Sequence, residues 1–157
     1  MVNTTSNQIN KSLSPIIESL KRCASSRNGL VSRSLALRVL TISWMENNIS
    51  VDLINERDKI IESLFDKHSD TLLRWKNDLS LNEITLKEIA LQTVENILKN
   101  GPCEWNDIYM MIANKSISIG IPDPLEIRTI LNDHIVTAGS KCMAMINSKN
   151  NIQLDLF

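Results

Sequence analysis

At 157 residues, with 43% hydrophobic and 22% charged side chains, the chain has the size of one ordinary domain or two small ones and the composition of a packed globular protein rather than a disordered one. No apolar run reaches membrane-spanning length, and the polar start "MVNTTSNQINKS" lacks the regions of a secretory signal, so a cytoplasmic protein with no membrane contact is the expectation. A net charge of −1 argues neither for nor against a nucleic-acid partner.

With four Gly and four Pro in the whole sequence, punctuation is sparse and apolar residues recur mostly at three to four, which predicts a mainly α protein. The first helix is expected to open at Ser14-Pro15, a capping side chain followed by Pro in the first turn, and to end near Gly29 with Ile16, Ile17, Leu20, Cys23 and Ala24 on one face. A second is predicted from about Ser32 to Met45, with Leu35, Val39, Ile42 and Met45 as its core stripe. Ser50 and Asp52 open a third through "VDLINERDKIIESLFDK", and "DTLLRWKNDL" reads as a fourth. Trp75, without aromatic neighbours in sequence, fits a core or interface anchor better than a base-stacking platform.

A second block begins at Thr85, where "TLKE" has the form of a capping box, and its helix terminates at Asn100-Gly101-Pro102. A helix over "EWNDIYMMIANK" follows, and Asp123-Pro124-Leu125-Glu126 opens another through "PLEIRTILNDHIV". Beyond Gly139, "KCMAMI" and "IQLDLF" flank the turn-like "NSKN" and read as a terminal hairpin. The expectation is therefore about seven helices: an N-terminal helical bundle over residues 1–80, then a winged-helix-like part over 81–157 with three helices and a C-terminal β-hairpin. The segment "NDLSLNEI" is the natural seam, the two parts could equally pack as one domain, and no internal repeat is visible in the sequence.

Charge is unevenly spread. Residues 1–45 carry Lys11, Lys21, Arg22, Arg27, Arg33 and Arg38 against Glu18 alone, a local balance of +5, whereas the rest of the chain is acidic. Such asymmetry marks either a phosphate-facing surface or ordinary solvated helix faces. The helix over 124–136 offers Glu126, Arg128, Asn132, Asp133 and His134, too acidic for a major-groove reader. Any DNA contact would thus fall to the six basic residues, through phosphate, with strong salt dependence.

Catalytic signatures are missing. His68 and His134 stand far apart, Cys23, Cys103 and Cys142 form no close pair, and Gly29, Gly101, Gly120 and Gly139 are isolated. No triad, zinc spacing or phosphate cradle can be written from them. The expectation is a non-enzyme with no cofactor, no metal and no small-molecule substrate, whose cysteines are buried bystanders.

The alternation in "IQLDLF" fits both a half-buried strand and an extended docking peptide. Gln153-Leu154-Asp155-Leu156-Phe157 resembles the pentapeptide by which bacterial DNA polymerases, mismatch-repair factors and replication regulators dock on the replicase sliding clamp. The resemblance spans those five residues alone and implies that Leu156 and Phe157 fill an apolar pocket, Leu154 packs on the cleft, Gln153 hydrogen-bonds beside it and Asp155 stays near solvent. On that basis the expected protein is a bacterial, phage or plasmid accessory or inhibitor of DNA replication or repair, with the clamp as partner. The alternative is a winged-helix-type DNA-binding or complex-assembly regulatory protein in which the C-terminal hairpin, with 152–157 as its last strand, is structural and the basic helices from Ser14 to Met45 contact DNA or an acidic partner.

Overall fold

The computed structural model describes residues 2–48, 53–79 and 84–144. The chain is mainly helical and divides into two units, one comprising Met1–Leu86 with Ile117–Gly120 and the other Lys87–Ser116 with Ile121–Phe157. Among the described residues there are six α-helices, one 3-10 turn at Ile117–Ile119 and two three-stranded antiparallel sheets.

The first unit begins with α1 (Val2–Ser25), which starts well before the predicted Ser14. Pro15 lies inside it, where the missing N–H and the ring normally break a helix; here the ring is exposed, and the helix runs through. Asn28 (φ 55°) and Gly29 (φ +89°) then turn the chain, with the Gly29 amide donating back to Ala24 O at 2.8 Å in the manner of a left-handed helix end. Strand β1 (Leu30–Ser32) follows and ends on Ser32, the N-cap of α2 (Arg33–Glu46), whose hydroxyl accepts from the Leu35 amide at 3.1 Å.

Helix α2 buries Leu35, Ala36, Leu40, Ser43 and Trp44. The predicted stripe keeps only Leu35: Val39 is half-buried, and Ile42 and Met45 are 47% and 71% exposed. "LALRVLTISWM" is apolar nearly all round, so spacing alone cannot choose its inner face. The observed face uses the small Ala36 and Ser43, which permit close approach, together with the large Trp44.

Helix α3 (Leu53–Leu64) buries Ile60, Ile61 and Leu64 and stops three residues short of its predicted end, because Phe65–Lys67 is strand β2. The predicted fourth helix is instead strand β3 (Leu72–Trp75), with Leu73 and Trp75 buried and Arg74 exposed. Four residues between the turn "HSDT" and "KND" are too few for a stable helix but suffice for a strand. At that turn the Ser69 hydroxyl accepts from the Leu72 amide at 3.1 Å. The sheet order is β1-β3-β2, and Trp75 is a core residue, edge-on to Phe65 at 5.2 Å between ring centroids. A four-helix bundle is thus replaced by three helices and a sheet around one apolar cluster.

The second unit contains α4 (Leu86–Leu98, with Leu86 counted in the first unit), opening directly after Thr85, then Gly101 at φ +115° and strand β4 (Cys103–Glu104). Helices α5 (Trp105–Lys115) and α6 (Pro124–Leu131, capped after Asp123) come next. The predicted continuation of α6 to Val136 fails: residues 135–138 are strand β5, antiparallel to β6 (Lys141–Ala144). Its order is β4-β6-β5, and Ile89, Ala90, Val94, Ile108, Ile112, Ile127, Leu131, Ile135 and Cys142 are among its buried residues.

Both units run helix, strand, helix, helix, strand, strand, with the last strand central in the sheet. The likeness extends to backbone detail. In each, a positive-φ glycine precedes the first strand, and that strand's last residue is the extended N-cap of the second helix: Ser32 at φ −66°, ψ 145° and Glu104 at φ −63°, ψ 139°. The first amide of that helix, Arg33 N or Trp105 N, donates to the carbonyl just before the central strand, Thr71 O at 2.9 Å or Ser140 O at 2.8 Å. One of the four amides that a helix start leaves unpaired is thereby satisfied in the same way twice.

Candidate functional site

Gln153, Leu154, Asp155, Leu156 and Phe157 lie outside the described residues, whereas β6, the strand predicted to pair with them, is described. The predicted hairpin joins "KCMAMI" to "IQLDLF", but Lys141–Ala144 pairs with Ile135–Ala138 through the turn at Gly139 (φ +65°) and Ser140. On its other side Lys141 and Cys142 pair with Glu104 and Cys103. The strand assigned to 152–157 as a partner is therefore central in its sheet, with β5 along its whole length and β4 across its first half. The signal missed in sequence was the β-branched run Ile135-Val136-Thr137 directly after α6, followed by the glycine of a tight turn.

The basic residues of the first unit are dispersed in role. Lys11, Lys21 and Arg22 are on α1, Arg33 and Arg38 on α2; Arg22 and Arg33 are exposed and Lys21 and Arg38 half-buried. Arg33 faces Asp58 at 3.6 Å with both side chains at least half exposed, a pair worth little in water. Arg27 does something else. Its Nη1 donates to Ile119 O at 2.7 Å, Cys23 O at 3.2 Å and Ser26 Oγ at 3.0 Å, and its Nη2 donates to Gly120 O at 2.9 Å. The guanidinium ties the end of α1 to the 3-10 turn, and those donors are directed at carbonyls and a hydroxyl of the chain itself.

In the second unit Arg128, the one cation of α6, stacks over the Trp105 ring with its Cζ 4.2 Å from the centroid. Tyr109 sits beside Trp105, centroids 6.3 Å apart, and its hydroxyl donates to Pro122 O at 2.6 Å. Around this cluster the sequence leaves large apolar side chains in water: Met110 is 54% and Leu125 76% exposed, and Met111 and Ile121 are exposed as well.

A groove of about 770 Å³ is lined by Leu91, Val94, Glu95 and Leu98 of α4, with Lys99, His134 and Ala144. Its titratable groups are Glu95, Lys99 and His134, and no Ser, Thr or Cys stands among the described residues that line it. Among the described residues no cluster of three or more His, Cys, Asp or Glu is placed to hold a metal ion.

Sequence spacing conceals one pairing. Cys103 and Cys142, 39 positions apart, are direct cross-strand partners on β4 and β6. Cys142 is fully buried and Cys103 half-buried, both as free thiols. Burial pushes the Cys142 thiol above its ordinary value; the Arg128 charge works the other way, while Cys103 and Glu104 add to the rise.

Comparison with protein-family models, with curated proteins and with solved structures finds no match.

Proposed function

We propose that the protein is a non-enzymatic accessory or inhibitor of DNA replication or repair: two winged helices in tandem that dock on a bacterial sliding clamp through Gln153–Phe157. The tandem winged-helix reading rests on the shared order of helix, strand, helix, helix, strand, strand and on the central position of the last strand in each sheet. The docking reading rests on β6: with β5 and β4 as its neighbours, the wing does not need residues 152–157 as its second strand. On this reading Gln153–Phe157 serves as a ligand for the clamp rather than as a strand of the sheet. Burying Leu154, Leu156 and Phe157 stabilises the complex by roughly 1.5–3 kcal/mol each before ordering and association costs, which places the affinity on the order of micromolar. The mechanism is occupancy, either bringing the two-unit body to clamp-loaded DNA or denying the cleft to polymerases.

The test is binding of the full-length protein to a bacterial sliding clamp, beside a variant with Gln153, Leu156 and Phe157 changed to Ala and an unchanged melting curve. Micromolar binding lost in the variant supports the reading, and no binding by the intact protein overturns it. A second reading, complex assembly through the body, draws on the exposed Met110 and Leu125 and on Arg128 being stacked on Trp105. A helix whose one arginine lies on a ring, beside exposed apolar residues, suits protein contact better than base readout. DNA contact in either case falls to Lys11, Lys21, Arg22, Arg33 and Arg38, would be removed by moderate salt, and is read by the salt dependence of binding to a duplex of arbitrary sequence.

A further inference from the structure

We propose that Cys103 and Cys142 form a reversible intramolecular disulfide that staples β4 to β6, a thiol-modification site in the second unit. The two residues are in direct register, and side chains opposite one another in an antiparallel ladder leave the same face of the sheet. Trp105 N donates to Ser140 O two residues along the same ladder, so Cys103 and Cys142 fall in the hydrogen-bonded class of pairs, whose Cα atoms stand about 5.5 Å apart. That Cα spacing is common among disulfides, and the Cβ atoms, about 5 Å apart in such a pair, close by roughly 1 Å when the bond forms.

The first unit supplies an internal control. At the matching place in its sheet, Val31 pairs with Leu73, both buried. An apolar pair is evidently sufficient for this architecture, and the second unit has a thiol at each of the two positions instead. Exposure then sets the order of chemistry. Cys103 is reachable, and Cys142 has no exposed surface, so an external reagent meets Cys103 first and Cys142 resolves the adduct.

The oxidant is a low-molecular-weight disulfide RSSR of the glutathione class. The deprotonated Cys103 sulfur attacks one sulfur of RSSR, the RS–SR bond breaks, and one RSH leaves carrying a proton equivalent to that lost by Cys103. The deprotonated Cys142 sulfur then attacks the Cys103 sulfur of the mixed disulfide, expelling a second RSH. Two protein thiols are oxidised to one disulfide and RSSR is reduced to two thiols. The reverse exchange with excess thiol reopens the staple. Nothing in this scheme depends on the clamp reading.

The experiment equilibrates the native full-length protein with oxidised and reduced glutathione, quenches in acid, and maps intact and digested protein by mass spectrometry without reduction. The expected product has lost two hydrogens, joins the peptides carrying Cys103 and Cys142, and melts higher on the order of 10 °C, since the link closes a long loop. A Cys23→Ser variant still forms it, and a Cys103→Val variant, which places the first unit's residue on β4, does not. Persistent glutathione on Cys103 with no internal link, a link to Cys23, or a Cys103–Cys142 link formed only in denaturant would each overturn the proposal. The mapping of the unsubstituted protein decides the matter even if a variant folds poorly.

Discussion

Replacing Arg27 by Ala separates two roles that its charge alone confuses. Its guanidinium donates to three carbonyls, Ile119 O at 2.7 Å, Gly120 O at 2.9 Å and Cys23 O at 3.2 Å, and to the Ser26 hydroxyl at 3.0 Å. A hydrogen bond from a charged donor contributes roughly 1.5–3 kcal/mol net, but the three carbonyls share one side chain and water refills part of the space. A total of about 2–4 kcal/mol follows, hence a fall in Tm on the order of 10–20 °C for a unit of this size. Arg27→Lys keeps the charge but offers one compact head group for acceptors spread over two segments, so it recovers only part of the loss. Thermal unfolding followed by circular dichroism is the assay, run beside binding of each variant to a DNA duplex. If Arg27→Ala melts within about 1 °C of the parent and instead weakens duplex binding, Arg27 belongs with the phosphate contacts and the strut reading is wrong.

Two glycines with similar backbone angles should respond differently to Ala. At Gly120 (φ +89°) a Cβ meets Val39 Cγ2 at 3.0 Å and Cys23 Sγ at 3.1 Å, whereas at Gly139 (φ +65°) nothing lies within 4 Å; the expected costs are about 2–4 and about 1 kcal/mol, and equal losses in denaturant unfolding would refute the packing argument. Deleting residues 152–157 should leave Tm within about 2 °C, because β6 keeps β5 and β4; a fall of several degrees would make the segment a structural strand. Cys142 faces Arg128, Cys103 and Glu104, and burial raises its pKa, so the native state holds that proton more tightly than the unfolded chain. Stability is then unaffected below the ordinary thiol range of about 8.5 and falls as pH rises through the folded value, and iodoacetamide labelling of Cys142 in the native protein should lag that of Cys103 at pH 8; equal labelling rates would contradict the burial.

Local signals in the sequence located what local chemistry controls. The expected helix start at about Ser32, the stop at Asn100-Gly101-Pro102 and the start at Asp123-Pro124 lie at or next to the ends of α2, α4 and α6. Three features were not legible. The inner face of α2 is set by packing of Ala36, Ser43 and Trp44, which no period reveals in a helix whose apolar residues are spread around most of its circumference. Strand β3 places Leu72, Leu73 and Trp75 at spacings that a helix also allows, and only pairing with β1 and β2 decides between them. Of the candidate site residues, Arg27 was legible as a charge but not as a strut, since two of its acceptors, Ile119 O and Gly120 O, lie more than 90 positions away.

The repeated architecture escaped the sequence for a further reason. What the units share is backbone: a left-handed glycine before the first strand, an extended N-cap, and a first helical amide bonded to the carbonyl ahead of the central strand. Those requirements are met by different residue types, Ser32 and Glu104 at the cap, Arg33 and Trp105 at the first helical position, Val31–Leu73 and Cys103–Cys142 in the sheet. A frame tolerant of such exchange says nothing by itself about what each unit does. Function has to be sought where the units differ: the first has Arg33 at the head of its second helix, solvated and beside Asp58, and the second has Trp105 there, carrying Arg128 on its ring. The same backbone position thus presents a hydrated charge in one unit and an aromatic platform in the other, which predicts that exchanging the pair, Arg33→Trp with Trp105→Arg, preserves both sheets in far-UV circular dichroism; a lost β signal would show that the position depends on its side chain as well as its backbone.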